Sequence, residues 1–352
     1  MSLTQLARAQ VQALTPYQSA RRIGGQGHIW LNANEAADSG DFRLDCSRLN
    51  RYPECQPPAV INGYAAYAGV APGQVLVSRG GDEGIELLIR TFCEPGRDSI
   101  IICTPTYGMY AISAETNGVG IIDVPLKASR QPDFDGIIGR LGEAKLVFLC
   151  SPNNPTGDLV EQSGLIRLLE AARGRALVVV DEAYIEFCPA HSQAGLLADY
   201  PELVLIRTLS KAFGLAGIRC GFTLANPEVV QLLLKVIAPY PIPEPVAQIA
   251  AQALSEDGLT RMRARVAEIN RLKATLAGQL AGNAQVKEVF APNGNYLLVR
   301  FTPGSAVFDR MSRAGIILRD FSSKPGLADC IRITIGQEAE MDAVLAVLQQ
   351  EQ

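Results

Sequence analysis

The chain has 352 residues, 48% of them hydrophobic and 19% charged, with mean hydropathy +0.12. It is long enough for a large core with two domains, or one domain with an appendage, and too apolar to stay disordered. A formal charge of −4 and a pI near 5.4 force no basic face, which argues against nucleic acid as the main partner.

Two histidines, His28 and His191, exclude a histidine-rich zinc site, an H-E-x-x-H helix and a facial triad, so no metal is expected. Any acid–base chemistry at neutral pH then falls to another group, of which a lysine with a depressed pKa is the natural one. Eight cysteines, none in a C-x-x-C pair and several inside apolar runs, read as reduced, packed thiols of a cytoplasmic protein. No signal segment stands among the first thirty residues, and no apolar run approaches the ~20 residues of a membrane span.

The first thirty residues are mixed and polar and lead into Ile29-Trp-Leu-Asn-Ala-Asn-Glu35. Gly40 to Gln56 reads as loop, with Pro53 enforcing an extended turn. From Val75 the pattern alternates strand and helix. Val75-Leu-Val is a short strand, and Arg79-Gly-Gly-Asp-Glu83 opens a helix with Ile85, Leu88, Ile89 and Phe92 on one stripe. Ser99-Ile-Ile-Ile-Cys103 is the next strand. Leu146 to Leu149, Ala176 to Val180 and Leu203 to Ile206 are apolar without alternation, which predicts strands buried on both faces of a mostly parallel sheet between helices. Leu165, Leu168 and Leu169 mark a connecting helix. Four prolines between Pro239 and Pro245 make a stiff connector, followed by a long helical region from about Val246 to Leu280. A second α/β unit follows: a strand at Asn295–Phe301, a helix around Val307, Phe308 and Met311, and strands at Gly315–Arg319 and Cys330–Ile335.

The chemistry-bearing residues collect where strands end, which is where open α/β sheets bind ligands. Lys211, in Thr208-Leu-Ser-Lys-Ala-Phe-Gly-Leu-Ala-Gly-Ile-Arg-Cys-Gly221, is either one of 32 basic residues on a solvated face or an amine desolvated at a strand end, able to form a Schiff base. Gly214 and Gly217 would allow close backbone approach beside it. Asp181 either caps the next segment or pairs with a protonated ring nitrogen, the partner that pyridoxal phosphate needs. In Ser151-Pro-Asn-Asn-Pro-Thr-Gly157 the prolines spell a turn, yet Asn154, with Tyr184, could donate to a phenolate oxygen. Gly80-Gly81-Asp82-Glu83 runs from strand into helix and, joined by Ser210 and Arg219, would make a phosphate cradle; alone it is weak. Tyr107 is either a core tyrosine or an aromatic that stacks on a planar ring.

Together these motifs resemble the fold-type I pyridoxal-phosphate aminotransferases and, among them, the histidinol-phosphate aminotransferases. The narrower resemblance rests on Leu14 to Arg22, Leu31-Asn-Ala-Asn-Glu35, Asn50 to Gln56, Ser78 to Gly84, Ser151 to Gly157, Asp181 to Phe187, the Lys211 stretch and Cys330 to Gly336. It covers essentially the whole chain in order. The lysine motif and S-P-N-N-P-T-G are specific to the superfamily; the Tyr17 and Tyr52 segments point to the subfamily. One departure is visible: Ala36-Ala-Asp-Ser-Gly40 stands where the family usually has a proline soon after the glutamate.

The resemblance implies a large domain at 31–245 around a mostly parallel sheet, a smaller C-terminal α/β domain at 246–352, and an N-terminal segment, 1–30, packed on the small domain or a partner subunit. It implies that Lys211 holds pyridoxal 5′-phosphate and shuttles the proton, that Asp181 pairs with the pyridinium, that Asn154 and Tyr184 contact O3′ and that Tyr107 stacks on the ring. Gly81, Asp82, Ser210 and Arg219 would take the cofactor phosphate, with Tyr52 reaching it from the neighbouring subunit of a homodimer. Tyr17, Asn34, Arg319 and Arg332 would meet substrate; from its pattern alone, Arg332 could equally be an exposed strand arginine. The implied reaction is amino transfer from L-histidinol phosphate to 2-oxoglutarate in histidine biosynthesis. An aromatic aminotransferase or an amino-acid-phosphate decarboxylase shares the fold. A ligand-sensing regulator would need a DNA-binding domain, for which residues 1–30 are too short, and a dehydrogenase would need a G-x-G-x-x-G after an early strand.

Overall fold

A computed structural model describes residues 2–15 and 26–349. Its strands, in chain order, are β1 (Ile29–Trp30), β2 (Val75–Ser78), β3 (Ser99–Ile102), β4 (Gly120–Asp123), β5 (Leu146–Cys150), β6 (Leu177–Asp181), β7 (Leu203–Thr208), β8 (Gly221–Leu224), β9 (Val286–Val289), β10 (Tyr296–Phe301), β11 (Ile316–Ile317), β12 (Arg319–Asp320) and β13 (Cys330–Thr334).

Seven of them form the large sheet in the order β2-β8-β7-β6-β5-β3-β4. Only β8 runs against its neighbours; the other pairings are parallel. The apolar strands behave as their composition dictates. On β5, Val147 and Leu149 enter one apolar layer while Leu146, Phe148 and Cys150 enter the other, so the strand is buried on both faces. The Gly81–Phe92 and Gln162–Ala172 helices pack their leucine and isoleucine stripes on this sheet.

Strand order reverses between β3 and β5, so the loops that leave their carboxyl ends diverge and open a crevice. The second sheet, β12-β13-β10-β9, is antiparallel. β1 pairs in parallel with β11, with Ile29 opposite Ile316, and leads the chain from the small sheet's neighbourhood into the crevice.

Several expectations are corrected. The helical region after the proline-rich connector is two helices, Glu244–Ala253 and Glu256–Ala281, because Ser255 caps the second by accepting from the Gly258 N–H at 3.2 Å. The single strand expected at Gly315–Arg319 splits into β11 and β12, which join different sheets. β1, β4, β8 and β9 are not among the strands that the sequence pattern predicts. Of the two glycines after Lys211, only Gly214 is needed for close approach: it has φ +70°, and a Cβ there would stand 2.5 Å from the Asp38 carbonyl oxygen, whereas Gly217 faces open space.

Candidate active site

The crevice is a cavity of about 600 Å³. Its lining includes Asn34, Gly81, Asp82, Tyr107, Asn154, Asp181, Tyr184, Ser210, Lys211, Arg219, Arg319 and Arg332. All these sequence-predicted residues therefore meet at one place. Tyr52 does not line it; it is 79% exposed and stacks on Tyr240 at 4.4 Å. Tyr17 lies outside the described residues.

Lys211 follows β7 by three residues, on a turn closed by the Gly214 N–H donating to the Lys211 carbonyl. Its Nζ donates to the Ala33 carbonyl at 3.0 Å and sits 5.8 Å from the Tyr184 ring centre. Burial pulls its pKa down from 10.5 to about 8, helped by the Arg332 cation and opposed by Asp82 and Glu35. About a tenth of this amine is thus uncharged at pH 7, against well under a hundredth for an ordinary lysine, and the uncharged form is the one that attacks a carbonyl.

Asp181 is the last residue of β6, beside Cys150 on β5 and Ile206 on β7. It is buried, and among the described residues it has no ion-pair partner. Its two oxygens accept from Tyr110 Oη at 2.7 Å and from the Ala183 N–H at 3.0 Å. Burial raises its pKa from 3.8 to about 6; these two donors pull it back, and Asp82 and Glu182 push it further up. A buried carboxylate aimed into a cavity without a cation is a half-made ion pair.

Asn154 leaves β5 on the proline-flanked turn. Its Nδ2 donates to Tyr184 Oη at 3.5 Å, and its Oδ1 accepts from Arg332 Nη1 at 2.6 Å. Tyr184 Oη also accepts from Asn34 Nδ2 at 3.0 Å. Asn34 holds a left-handed backbone at φ +53°, secured by Thr334 at 3.0 and 3.1 Å and by Asn295 at 3.0 Å. Burial pushes the Tyr184 phenol up, so it stays protonated and can donate. Arg332 is not an exposed strand residue: it is 6% exposed, and its Nη2 donates to the Asn32 carbonyl at 2.7 Å. Arg319 lies opposite it across β12 and β13.

Elsewhere on the cavity wall, Gly80 takes φ +82° and the Gly81–Phe92 helix begins with Gly81 and Asp82 lining the cavity, the end of a helix that favours anions. Arg219, itself left-handed at φ +54°, reaches Asp82 Oδ2 at 3.3 Å and Ser210 Oγ at 3.5 Å. Thr208 Oγ1 in turn holds Ser210, by its Oγ at 2.8 Å and its N–H at 3.1 Å. A Cβ on Gly80 would stand 2.6 Å from Arg219 Nη2, and one on Gly221 only 2.4 Å from the Gly80 carbonyl carbon, so both glycines are needed for this close cradle. Tyr107 donates to Asp82 Oδ1 at 2.9 Å, which fixes its ring at the cavity wall.

Sequence reasoning missed several members. Tyr110, which holds Asp181, reads as a core tyrosine; its one signal is its place three residues after Tyr107. The Ala33 carbonyl, a backbone acceptor, leaves no signal. Phe321 and Lys324, on the turn after β12, also line the cavity.

The profile of the family described as aminotransferase class I and II matches residues 24–348. The chain belongs to that family. Among this aminotransferase's relatives is the histidinol-phosphate aminotransferase of Aeromonas hydrophila, 69% identical over 99% of this chain and 98% of that one. The enzyme of the same name from Pectobacterium atrosepticum is 60% identical over 99% of this chain and 98% of its own length. Among solved structures, the Sinorhizobium meliloti histidinol-phosphate aminotransferase in complex with pyridoxal-5′-phosphate superposes with a TM-score of 0.85 at 24% identity, covering 97% of this chain and 95% of that one. The aminotransferase fold expected from the motifs is therefore present across residues 24–348.

Proposed function

We propose that this aminotransferase moves the amino group of L-histidinol phosphate to 2-oxoglutarate, giving imidazole-acetol phosphate and L-glutamate in histidine biosynthesis, with pyridoxal 5′-phosphate as cofactor. The observation that carries the reading is the convergence of a part-buried lysine with a lowered pKa, a buried carboxylate without a cation among the described residues, and an anion cradle in one cavity. Relatives that share 58–69% of the sequence over 99% of the chain support the substrate.

The residues fit the cofactor. Gly81, Asp82, Ser210 and Arg219 would hold its phosphate, since backbone N–H groups, a hydroxyl and a guanidinium are phosphate donors. Asp181 would face the ring nitrogen, Asn154 and Tyr184 the phenolic oxygen, and Tyr107 the ring face. When bound, pyridoxal phosphate supplies a carbonyl for amine exchange and a ring that withdraws electrons from the substrate's Cα. Lys211 Nζ provides the anchoring amine and, when released, takes the proton from the substrate's Cα. Arg332 and Arg319 would receive the substrate's anionic end, carboxylate or phosphate, because a guanidinium fork accepts both. Asn34, tied to Tyr184, would border the substrate, and so would Tyr17.

We further propose a cytoplasmic homodimer in which Tyr52 completes the neighbouring site. An exposed tyrosine stack outside its own chain's cavity supports the contact, and eight free cysteines support a reducing compartment. No helix of the described residues is long and apolar enough to cross a membrane. The domain limits remain 31–245 and 246–352, supported by the two separate sheets, with 1–30 as the N-terminal segment.

Coupled turnover with the purified protein tests the reaction: glutamate should appear with histidinol phosphate and 2-oxoglutarate. Turnover of aromatic amino acids with none of histidinol phosphate would sink the substrate assignment. Release of carbon dioxide would make the protein a decarboxylase instead.

A further inference from the structure

A residue outside every role assigned above sits behind Asp181. Tyr110 is the second residue of the Met109–Asn117 helix and is fully buried, with 0% of its surface exposed. Its ring stacks on Phe148 of β5 at 5.0 Å and meets Tyr107 edge-on at 5.7 Å. A phenylalanine would fill that space without desolvating a hydroxyl, so packing alone does not account for the oxygen. That oxygen lies 2.7 Å from Asp181 Oδ2.

The direction of this bond has consequences. Asp181 has just one side-chain donor among the described residues, Tyr110, and one backbone donor, the Ala183 N–H on the other oxygen. The two clamp the carboxyl plane, and each oxygen keeps a free lone pair. Two other ionisable groups work against its charge, Asp82 from the Gly81–Phe92 helix and Glu182 next in the chain, while the neighbouring Cys150 thiol on β5 is kept neutral by its own burial. A hydrogen bond that favours the charged form is then what keeps an anion in a site where burial favours the acid.

We propose that Tyr110 is a positioning residue, whose phenol O–H orients the Asp181 carboxylate and keeps it ionised to receive the protonated ring nitrogen of the cofactor. The inference rests on the reading of Asp181 given under Proposed function. It also links the ring's two neighbours, because the same tyrosine braces Tyr107 and Asp181 from one helix turn.

The test is a double-mutant cycle on cofactor affinity, measured by titrating each apoprotein with pyridoxal phosphate and following the visible absorbance. Tyr110→Phe keeps the ring and its stack and removes one donor to a charged acceptor. It should fold as the parent does and bind pyridoxal phosphate about 10-fold more weakly, the size of one such bond. The pH midpoint of the bound cofactor's absorbance should move up. In the Asp181→Asn background the same change should have little further effect, since the charge it serves is gone. Unchanged affinity and midpoint in Tyr110→Phe, equal losses in both backgrounds, or a Tyr110→Phe chain that fails to fold would each overturn the positioning role. Failure of the parent protein to bind pyridoxal phosphate would instead overturn the cofactor assignment itself.

Discussion

At the scale of single residues, the decisive fact is that the amine and the acid are shifted in opposite directions by the same cause. Burial lowers Lys211 to about 8 and raises Asp181 to about 6, so both sit closer to neutrality than free side chains do. For Lys211 the sign is plain: the lowered pKa means the neutral amine dominates above about 8 rather than above 10.5. The rate at which the apoprotein captures added pyridoxal phosphate should therefore rise through pH 8; a rise that begins only in the ordinary lysine range would contradict the desolvated setting. Little of this environment was legible in the sequence. Lys211 and Asp181 were identifiable by their places after apolar strands, but the Ala33 carbonyl and Tyr110 that hold them come from distant segments whose local pattern is unremarkable. The alternative for Arg332, an exposed strand arginine, was equally consistent with its flanking isoleucines; only the packing of Asn154 and Asn32 against it decides the matter.

At the scale of elements, the ends of β6 and β7 are tied together on the side away from Lys211 by a buried ion pair. Arg207 Nη2 lies 2.7 Å from Glu182 Oε2, both side chains nearly inaccessible, and the Gln193 N–H also donates to Glu182 at 2.6 Å. Removing one partner leaves an uncompensated buried charge, so Arg207→Ala should destabilise the fold by roughly 3–5 kcal/mol; urea denaturation would show it. Glu186 lies in the same region. Burial, partly offset by Arg207, lifts its pKa from 4.5 to about 7. Its folded-state pKa is the higher one, so its stabilising contribution is present below about 4.5 and is lost as pH rises through about 7. Melting temperature should thus fall less between about pH 5 and about pH 8 in Glu186→Gln than in the parent; identical falls would rule this out. Elements differed in how readable they were. The strands β5, β6 and β7 announce themselves by unbroken Val, Ile and Leu. β4 is an edge strand with only half-buried isoleucines, and β8 is short, begins at Gly221 and follows directly on the lysine motif, so neither stands out. The helix break at Ser255 depends on one side-chain cap in an otherwise helical composition.

At the scale of the whole molecule, both sheets of the chain contribute to the cavity, while Tyr52 and Tyr240 present a stacked aromatic surface outside it. If Tyr52 completes a neighbouring site, the protein should sediment as a dimer. Tyr52→Phe should then weaken cofactor binding without changing the sedimentation coefficient, by roughly 10-fold for one lost phosphate contact. A monomer with full activity would contradict that assembly. The two sheets meet at the cavity, with Arg319 and Arg332 from the small one facing Lys211 from the large one. In the proposed reaction, substrate contacts and chemistry would thereby come from different layers of the fold.

In the proposed function Lys211, alone among the chain's lysines, would be the amine that anchors the cofactor. Incubation with pyridoxal phosphate, borohydride reduction and peptide mapping test it most directly. One pyridoxyl group is expected on the peptide carrying Lys211 and none on the Lys211→Ala protein. A label on another lysine, or an unlabelled chain, would contradict it.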